Sequence, residues 1–229
     1  MSLGRPPKPP DRARSSASVQ SAAPRGPSGP GGLLFVEGPG DRAILEGWAR
    51  SVSPRFERSV RAATVILGGR QPARAREELR KAREHAPGIR GLCILDRDAL
   101  PEEAPDATAG LEIFTWSRRH IESYLLVPEA IRRALRRRDH DRWLVRLLAD
   151  SFPRPGDEAA HAALHAKQLL GPRGPIAAEI GRAVPTGRVA RAMRPEEFHP
   201  DVHALLARLQ DILGMTPTAP VVTLRRPRS

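Results

Sequence analysis

A chain of 229 residues is long enough for one ordinary domain with tails, or one domain with a helical appendage. Its single cysteine, Cys93, excludes a disulfide framework within the chain and fits a reducing cytoplasm, and no apolar run approaches the roughly 20 residues that span a bilayer. The net charge of +12, from 38 Lys and Arg against 26 Asp and Glu, favours a polyanionic partner without identifying one.

Residues 1–32 are mostly Pro, Gly, Ser, Ala and Arg, with almost nothing to bury, which predicts a disordered basic arm. The arm has no apolar stretch of the kind a secretory signal needs. Leu33-Leu34-Phe35-Val36 is the first strand candidate. It ends in a tight turn, Glu37-Gly38-Pro39-Gly40-Asp41, and Ala43 to Trp48 has helical spacing. Ala63 to Leu67 is a second apolar run, closed by Gly68-Gly69. Residues 72–85 are rich in good helix formers and stop at Pro87-Gly88. Ile89 to Leu95 is a third run and finishes at Asp96-Arg97-Asp98. Leu111 to Trp116 is a fourth, and helical periodicity begins at Arg119.

Short apolar runs alternating with amphipathic helices predict βαβ units. The expected fold is therefore α/β over residues 33–127, with a mainly parallel sheet of about four strands and helices on both faces. Helical segments near 128–138, 140–150, 158–170 and 200–213 predict a helical extension over 128–215. A basic tail, 216–229, closes the chain.

The acidic residues sit where such a sheet binds ligands, beyond the carboxyl ends of its strands. Glu37 ends the first strand and Asp96 the third; Asp41 lies near the start of the first helix. Asp96 and Asp98, one residue apart in an extended segment, point the same way. Carboxylates gathered in one crevice repel, and either raise a pKa or recruit a cation. An oxygen-only set selects Mg2+ or Mn2+ over zinc, and such ions complete their shells with phosphate oxygens. Two of them can activate water and stabilise the leaving oxygen of a phosphodiester. Taken singly, Glu37 and Asp41 read rather as helix caps and Asp-x-Asp as a solvated turn; it is their joint placement at separate strand ends that favours the metal site.

Phe35-Val36-Glu37-Gly38-Pro39-Gly40-Asp41 followed by Leu95-Asp96-Arg97-Asp98 resembles the Toprim domain shared by topoisomerases, primases and certain nucleases. With Arg119-His120-Ile121-Glu122-Ser123-Tyr124-Leu125-Leu126 added, the pattern resembles the Toprim half of the overcoming-lysogenization-defect (OLD) nucleases, over roughly residues 33–130. The resemblance implies a Toprim-like (Rossmann-like) sheet and metal-dependent cleavage or nicking of DNA by a two-metal mechanism, with phage defence or DNA repair as the setting. It assigns Glu37, Asp41, Asp96, Asp98 and Glu122 to the metal and Tyr124 and Leu125 to packing; in such a site Glu37 or another carboxylate would orient the attacking water. These nucleases also use a lysine after the core, for which Lys167 is the best candidate. For Glu122 and Lys167 the plain alternative is a solvated position on a helix.

Full-length OLD proteins carry an ATPase before this region. Here no Gly-x-x-x-x-Gly-Lys-Ser/Thr loop occurs and residues 1–32 are too short and polar for one, so ATP dependence is not implied. The chain then reads as a standalone Toprim protein, a partner of a separate ATPase or helicase acting in trans, or a truncated descendant; DNA is the expected partner, and a homo-oligomer is compatible with the chain. Arg97, Arg118, Arg119, Arg132, Arg133 and Arg136 are candidate contacts to the DNA backbone, or a solvated basic face. The pairs His161/His165 and His199/His203 lack a third zinc ligand and read as surface histidines. The competing reading is a catalytically silent nucleic-acid-binding or ATPase-partner module of the same fold.

Overall fold

The computed structural model describes residues 31–97, 110–136, 142–154 and 156–216. Residues 1–30 of the expected arm, Asp98 and the basic tail from 217 onward lie outside the described residues.

Four strands, β1 (Leu33–Val36), β2 (Thr64–Ile66), β3 (Gly91–Leu95) and β4 (Leu111–Thr115), form one all-parallel sheet in the order β2-β1-β3-β4. Val36 lies opposite Ile66 on one side and Ile94 on the other, and Leu95 opposite Thr115. The central strands are apolar throughout because both their faces are covered, and alternate side chains serve two cores. Leu34, Val36, Leu92 and Ile94 enter the larger core. Phe35, Cys93 and Leu95 enter a smaller one, roofed by Ala75 and Leu79 of α3 (Pro72–His85).

The larger face is covered by α1 (Pro39–Val52) and α2 (Pro54–Ala63), and by elements that follow the sheet in sequence. These are α4 (Pro128–Ala134), α5 (Arg142–Ser151), α7 (Ala166–Leu170), α8 (Pro175–Ile180), α9 (Thr186–Ala192) and α10 (Pro200–Ile212), while α6 (Glu158–Ala163), between α5 and α7 in the chain, adds no residue to that core. One apolar cluster runs from Leu34 to Ile212, so the late helices close over the sheet rather than hanging from it. The tightest crossing is α1 on α9. A Cβ at Gly47 would lie 2.6 Å from the Gly187 carbonyl oxygen and 2.7 Å from the Ala190 Cβ, so only glycine permits this approach.

Local chemistry explains where the elements differ from the expected ones. Residues 54–63, unassigned from periodicity, form α2: the Ser53 hydroxyl accepts the Phe56 N–H at 3.1 Å and Pro54 occupies the first helical position. The helix expected from Arg119 is a 3-10 turn, Ile121–Leu125, followed by α4 beginning at Pro128. Its first N–H, that of Ile121, is bound by the Asp96 carboxylate, and the proline restarts the chain as a new helix. The segment expected as one helix over 158–170 is broken into α6 and α7 at Leu164-His165. The short helices α8 and α9 were hidden by their Gly and Pro boundaries. No helix among the described residues is long and apolar enough to cross a membrane.

Candidate metal and phosphate site

The strand order dictates where this sheet opens. From β1 the chain runs to β2 on one side and then crosses to β3 on the other, so the segments leaving β1 and β3 diverge and leave a crevice between them. Glu37 follows β1 and Asp96 follows β3. The two are joined: Glu37 Oε1 accepts the Asp96 backbone N–H at 2.9 Å, across 59 residues of sequence. Asp41, in the first turn of α1 and 8 % exposed, accepts the Gly38 N–H at 2.9 Å. The capping reading therefore holds for Asp41, which is at the same time close enough to feel the charge of Asp96.

Asp96 is the hub. It is 5 % exposed. Its Oδ1 accepts the Ile121 N–H at 3.0 Å, and its Oδ2 faces His120 Nδ1 at 3.4 Å and is contacted by the Lys167 ammonium. Its backbone carbonyl accepts from Arg70 Nη1 at 2.6 Å. His120 Nε2 in turn lies 3.3 Å from His165 Nδ1. The 3-10 turn is thus pinned at its start by the acid that β3 delivers. α7 delivers the lysine, from 71 residues further on.

Crowding shows in the ionisation of these groups. Burial pushes the Glu37 carboxyl up, with the Asp96 and Asp41 charges adding to it. Asp41 is raised by burial and by Asp96. Glu122 is pushed up to about 7, chiefly by burial, with Asp96 and Asp41 contributing. Its Oε2 is buried without a hydrogen-bond partner. Asp96 goes the other way. Burial works to raise it, but the hydrogen bonds from His120 and Lys167 outweigh that and hold it below the usual carboxylate range. Burial works against the Lys167 ammonium, and the contact with Asp96, helped by the Glu122 and Asp41 charges, outweighs it and raises the pKa.

Burial of the Glu122 carboxyl, with one oxygen unpartnered, makes stability depend on pH. A carboxyl whose folded pKa, about 7, exceeds its ordinary 4.5 binds more protons folded than unfolded between those values. Its contribution to stability therefore falls as pH rises from about 4.5 to about 7 and is level above. Glu122→Gln is expected to raise the melting temperature of the metal-free protein at pH 8, by up to about 3 kcal/mol of stability, and to flatten its dependence on pH between 5 and 7. Thermal melts at several pH values check this. An unchanged slope in the variant rules Glu122 out as its source.

The donor set tests well for a hard cation in its chemistry. It is all oxygen, it is desolvated, and one buried oxygen lacks a partner. As it stands, however, no three Asp, Glu, His or Cys side chains among the described residues are grouped as ligands of a single ion. The cation facing Asp96 is Lys167.

The expected arginines divide. Arg97 is exposed beside the site, with Nη1 donating to the Ser117 carbonyl at 2.7 Å. Arg119, which follows Arg118 and precedes His120, has its Nε buried with no partner. Arg118 is committed to partners within the protein. It is 8 % exposed, lies 5.1 Å over the Tyr124 ring, binds the Ser123 carbonyl at 2.9 Å and grips Glu158 at 2.8 Å, so it braces the 3-10 turn against α6. Arg133 is likewise committed, to the Ala192 carbonyl at 2.9 Å and to Glu197, and Arg132 pairs with Glu129 at 2.8 Å. Arg136 is exposed, on a left-handed backbone with φ 55°.

Two histidine expectations also need correction. His161 is 7 % exposed, with Nδ1 unpartnered, and His165 contacts His120 instead of standing free. Neither is a plain surface residue. Tyr124 and Leu125 pack as expected: Tyr124 lies 4.7 Å from the Trp116 ring and Leu125 is fully buried. Sequence reading passed over His165 and Arg70 as neighbours of the site, and nothing local marks them, because their partners lie 45 and 26 residues away.

No protein-family model matches the chain, and no curated protein matches it in sequence. Two solved structures of the C-terminal region of the OLD protein of Xanthomonas campestris pv. campestris, one phased with iodine and one with platinum, are similar to it in fold. Each has 16 % sequence identity and a TM-score of 0.43, covers 80 % of this chain, and is itself covered to 95 % and 93 %, respectively.

Proposed function

We propose that the crevice between β1 and β3 is the active site of a divalent-metal-dependent phosphodiesterase that cleaves or nicks DNA. The observation that carries this is the joining of Glu37 to the Asp96 backbone at the switch point of the sheet, with a lysine delivered onto the same aspartate. When bound, Mg2+ or Mn2+ would neutralise phosphate charge and lower the pKa of water, as one ion or as a pair. Asp96, Asp41 and Glu122 are the residues to hold it, with Asp98 two residues beyond Asp96 in sequence.

The chain's own groups supply the rest. Glu37, oriented by the Asp96 N–H, is placed to hold the attacking water. Lys167, once an ion takes over the neutralisation of Asp96, is free to stabilise the charge that develops on the phosphate oxygens. Arg97, exposed beside the site, suits a polyanion, and its backbone N–H ties it to the carbonyl of Arg119, whose Nε is buried without a partner. The test is incubation of supercoiled plasmid with the protein in Mg2+ or Mn2+, with and without chelator. Conversion to nicked or linear forms that the chelator blocks is the expected result, and intact plasmid under all conditions overturns the reading.

A second reading has a specific observation behind it. The Lys167–Asp96 pair already neutralises the hub without an ion, as a silent nucleic-acid-binding or ATPase-partner module would need. That reading predicts binding of DNA with no cleavage and no change in melting temperature on addition of Mn2+.

A further inference from the structure

Between α7 and α8 lies a groove of about 680 Å3, within the roughly 300–1,000 Å3 common for small-ligand sites. Its walls include Leu164, Leu169 and Pro172, with His165, Lys167 and Arg173 supplying basic groups and no acidic residue among those lining it. It adjoins the carboxylate site through two shared residues: Lys167 both lines the groove and contacts Asp96, and His165 both lines it and touches His120. The turn that forms its far wall is tightly built. A Cβ at Gly171 would fall 2.5 Å from the Lys167 carbonyl oxygen and one at Gly174 would fall 2.2 Å from that of Gln168, so the backbone wraps directly onto the end of α7.

From this juxtaposition we infer that the groove seats one unpaired nucleotide of the substrate strand, beside the phosphodiester presented to Asp96 and Lys167; this rests on the nuclease reading above. The aliphatic walls suit a base or sugar, and the basic groups suit the phosphates on either side of it. A base enters such a recess only when it is out of its pair, so the preferred substrate is a single strand, a frayed end or a duplex with a flipped nucleotide. No Phe, Tyr or Trp lines the groove, so the base is held mainly between aliphatic surfaces, with the His165 imidazole the one ring beside it.

The test is fluorescence anisotropy in EDTA, where no cleavage occurs, with a labelled short single strand and a blunt, loop-free, GC-clamped duplex of equal phosphate count. The parent protein is expected to bind the single strand on the order of tenfold more tightly. Arg173→Glu, at an exposed position, should lower single-strand affinity by about tenfold and duplex affinity by much less, with an unchanged melting temperature. Gln168→Trp, which fills the groove, should also erase the preference for single strand. Equal affinity of the parent for both forms, or equal loss of both in Arg173→Glu, overturns the inference. Plasmid cleavage run in parallel separates the two claims. Cleavage without a strand preference sinks the groove alone, and strand preference without cleavage sinks the nuclease reading.

Discussion

Asp96→Asn is expected to reduce plasmid cleavage in Mg2+ by roughly a thousandfold or more while leaving the protein folded. Asparagine keeps an oxygen for the Ile121 N–H, so the 3-10 turn stays pinned, but it removes the charge that faces Lys167 and that would hold an ion. Asp96→Ala is the less informative variant. It takes away the acceptor of the buried Ile121 N–H and leaves the half-exposed lysine without its partner, a loss of about 1–3 kcal/mol that comes mainly from the unsatisfied N–H. Circular dichroism melts on both variants distinguish inactivity from unfolding. If Asp96→Asn cuts plasmid at the parent's rate, the crevice between β1 and β3 is not the site of chemistry.

Lys167→Met should lower cleavage by about a hundredfold and should also change how the metal-free protein responds to pH. The Asp96 pKa is lowered on folding, so its share of the stability is present above its ordinary 3.8 and is lost as pH falls through the folded value. The Lys167 pKa is raised, so its share is present below its ordinary 10.5 and is lost as pH climbs through the folded value. The variant should therefore melt lower than the parent across the neutral range, with the difference shrinking in strong acid and strong alkali. Since the lysine is half exposed, water screens the pair and the deficit at pH 7 is expected to be about 1 kcal/mol. Without the ammonium, Glu122 should titrate above its present value of about 7. Addition of Mn2+ should then restore more of the melting temperature in Lys167→Met than in the parent, because the ion replaces the missing cation. Lys167→Arg, keeping the charge, should melt like the parent. Melts that are indistinguishable in all three proteins would show that the contact with Asp96 carries no weight.

The layered α/β fold was legible because buried parallel strands are nearly all apolar and the helices between them are not. Leu33 to Val36, Gly91 to Leu95 and residues 72–85 each advertise themselves in a window of a few residues, and local sequence suffices to place them. Glu37 and Asp96 were visible for the same reason, as the first acids beyond such runs. The 3-10 turn was not, since a carboxylate 25 residues away decides its form. Nor was the fate of Arg118 and Arg133: an arginine bound to Glu158 or Glu197 looks, in sequence, like one free for phosphate. Lys167 and His165 belong to the site only because α7 is carried back to the 3-10 turn by packing that runs through Leu169, Leu170 and the helices beyond. Period and composition are short-range properties and settle which elements exist. Which charges meet is a matter of where distant elements dock, and that follows from the burial of apolar faces, which carries no local mark on the charged residues it brings together.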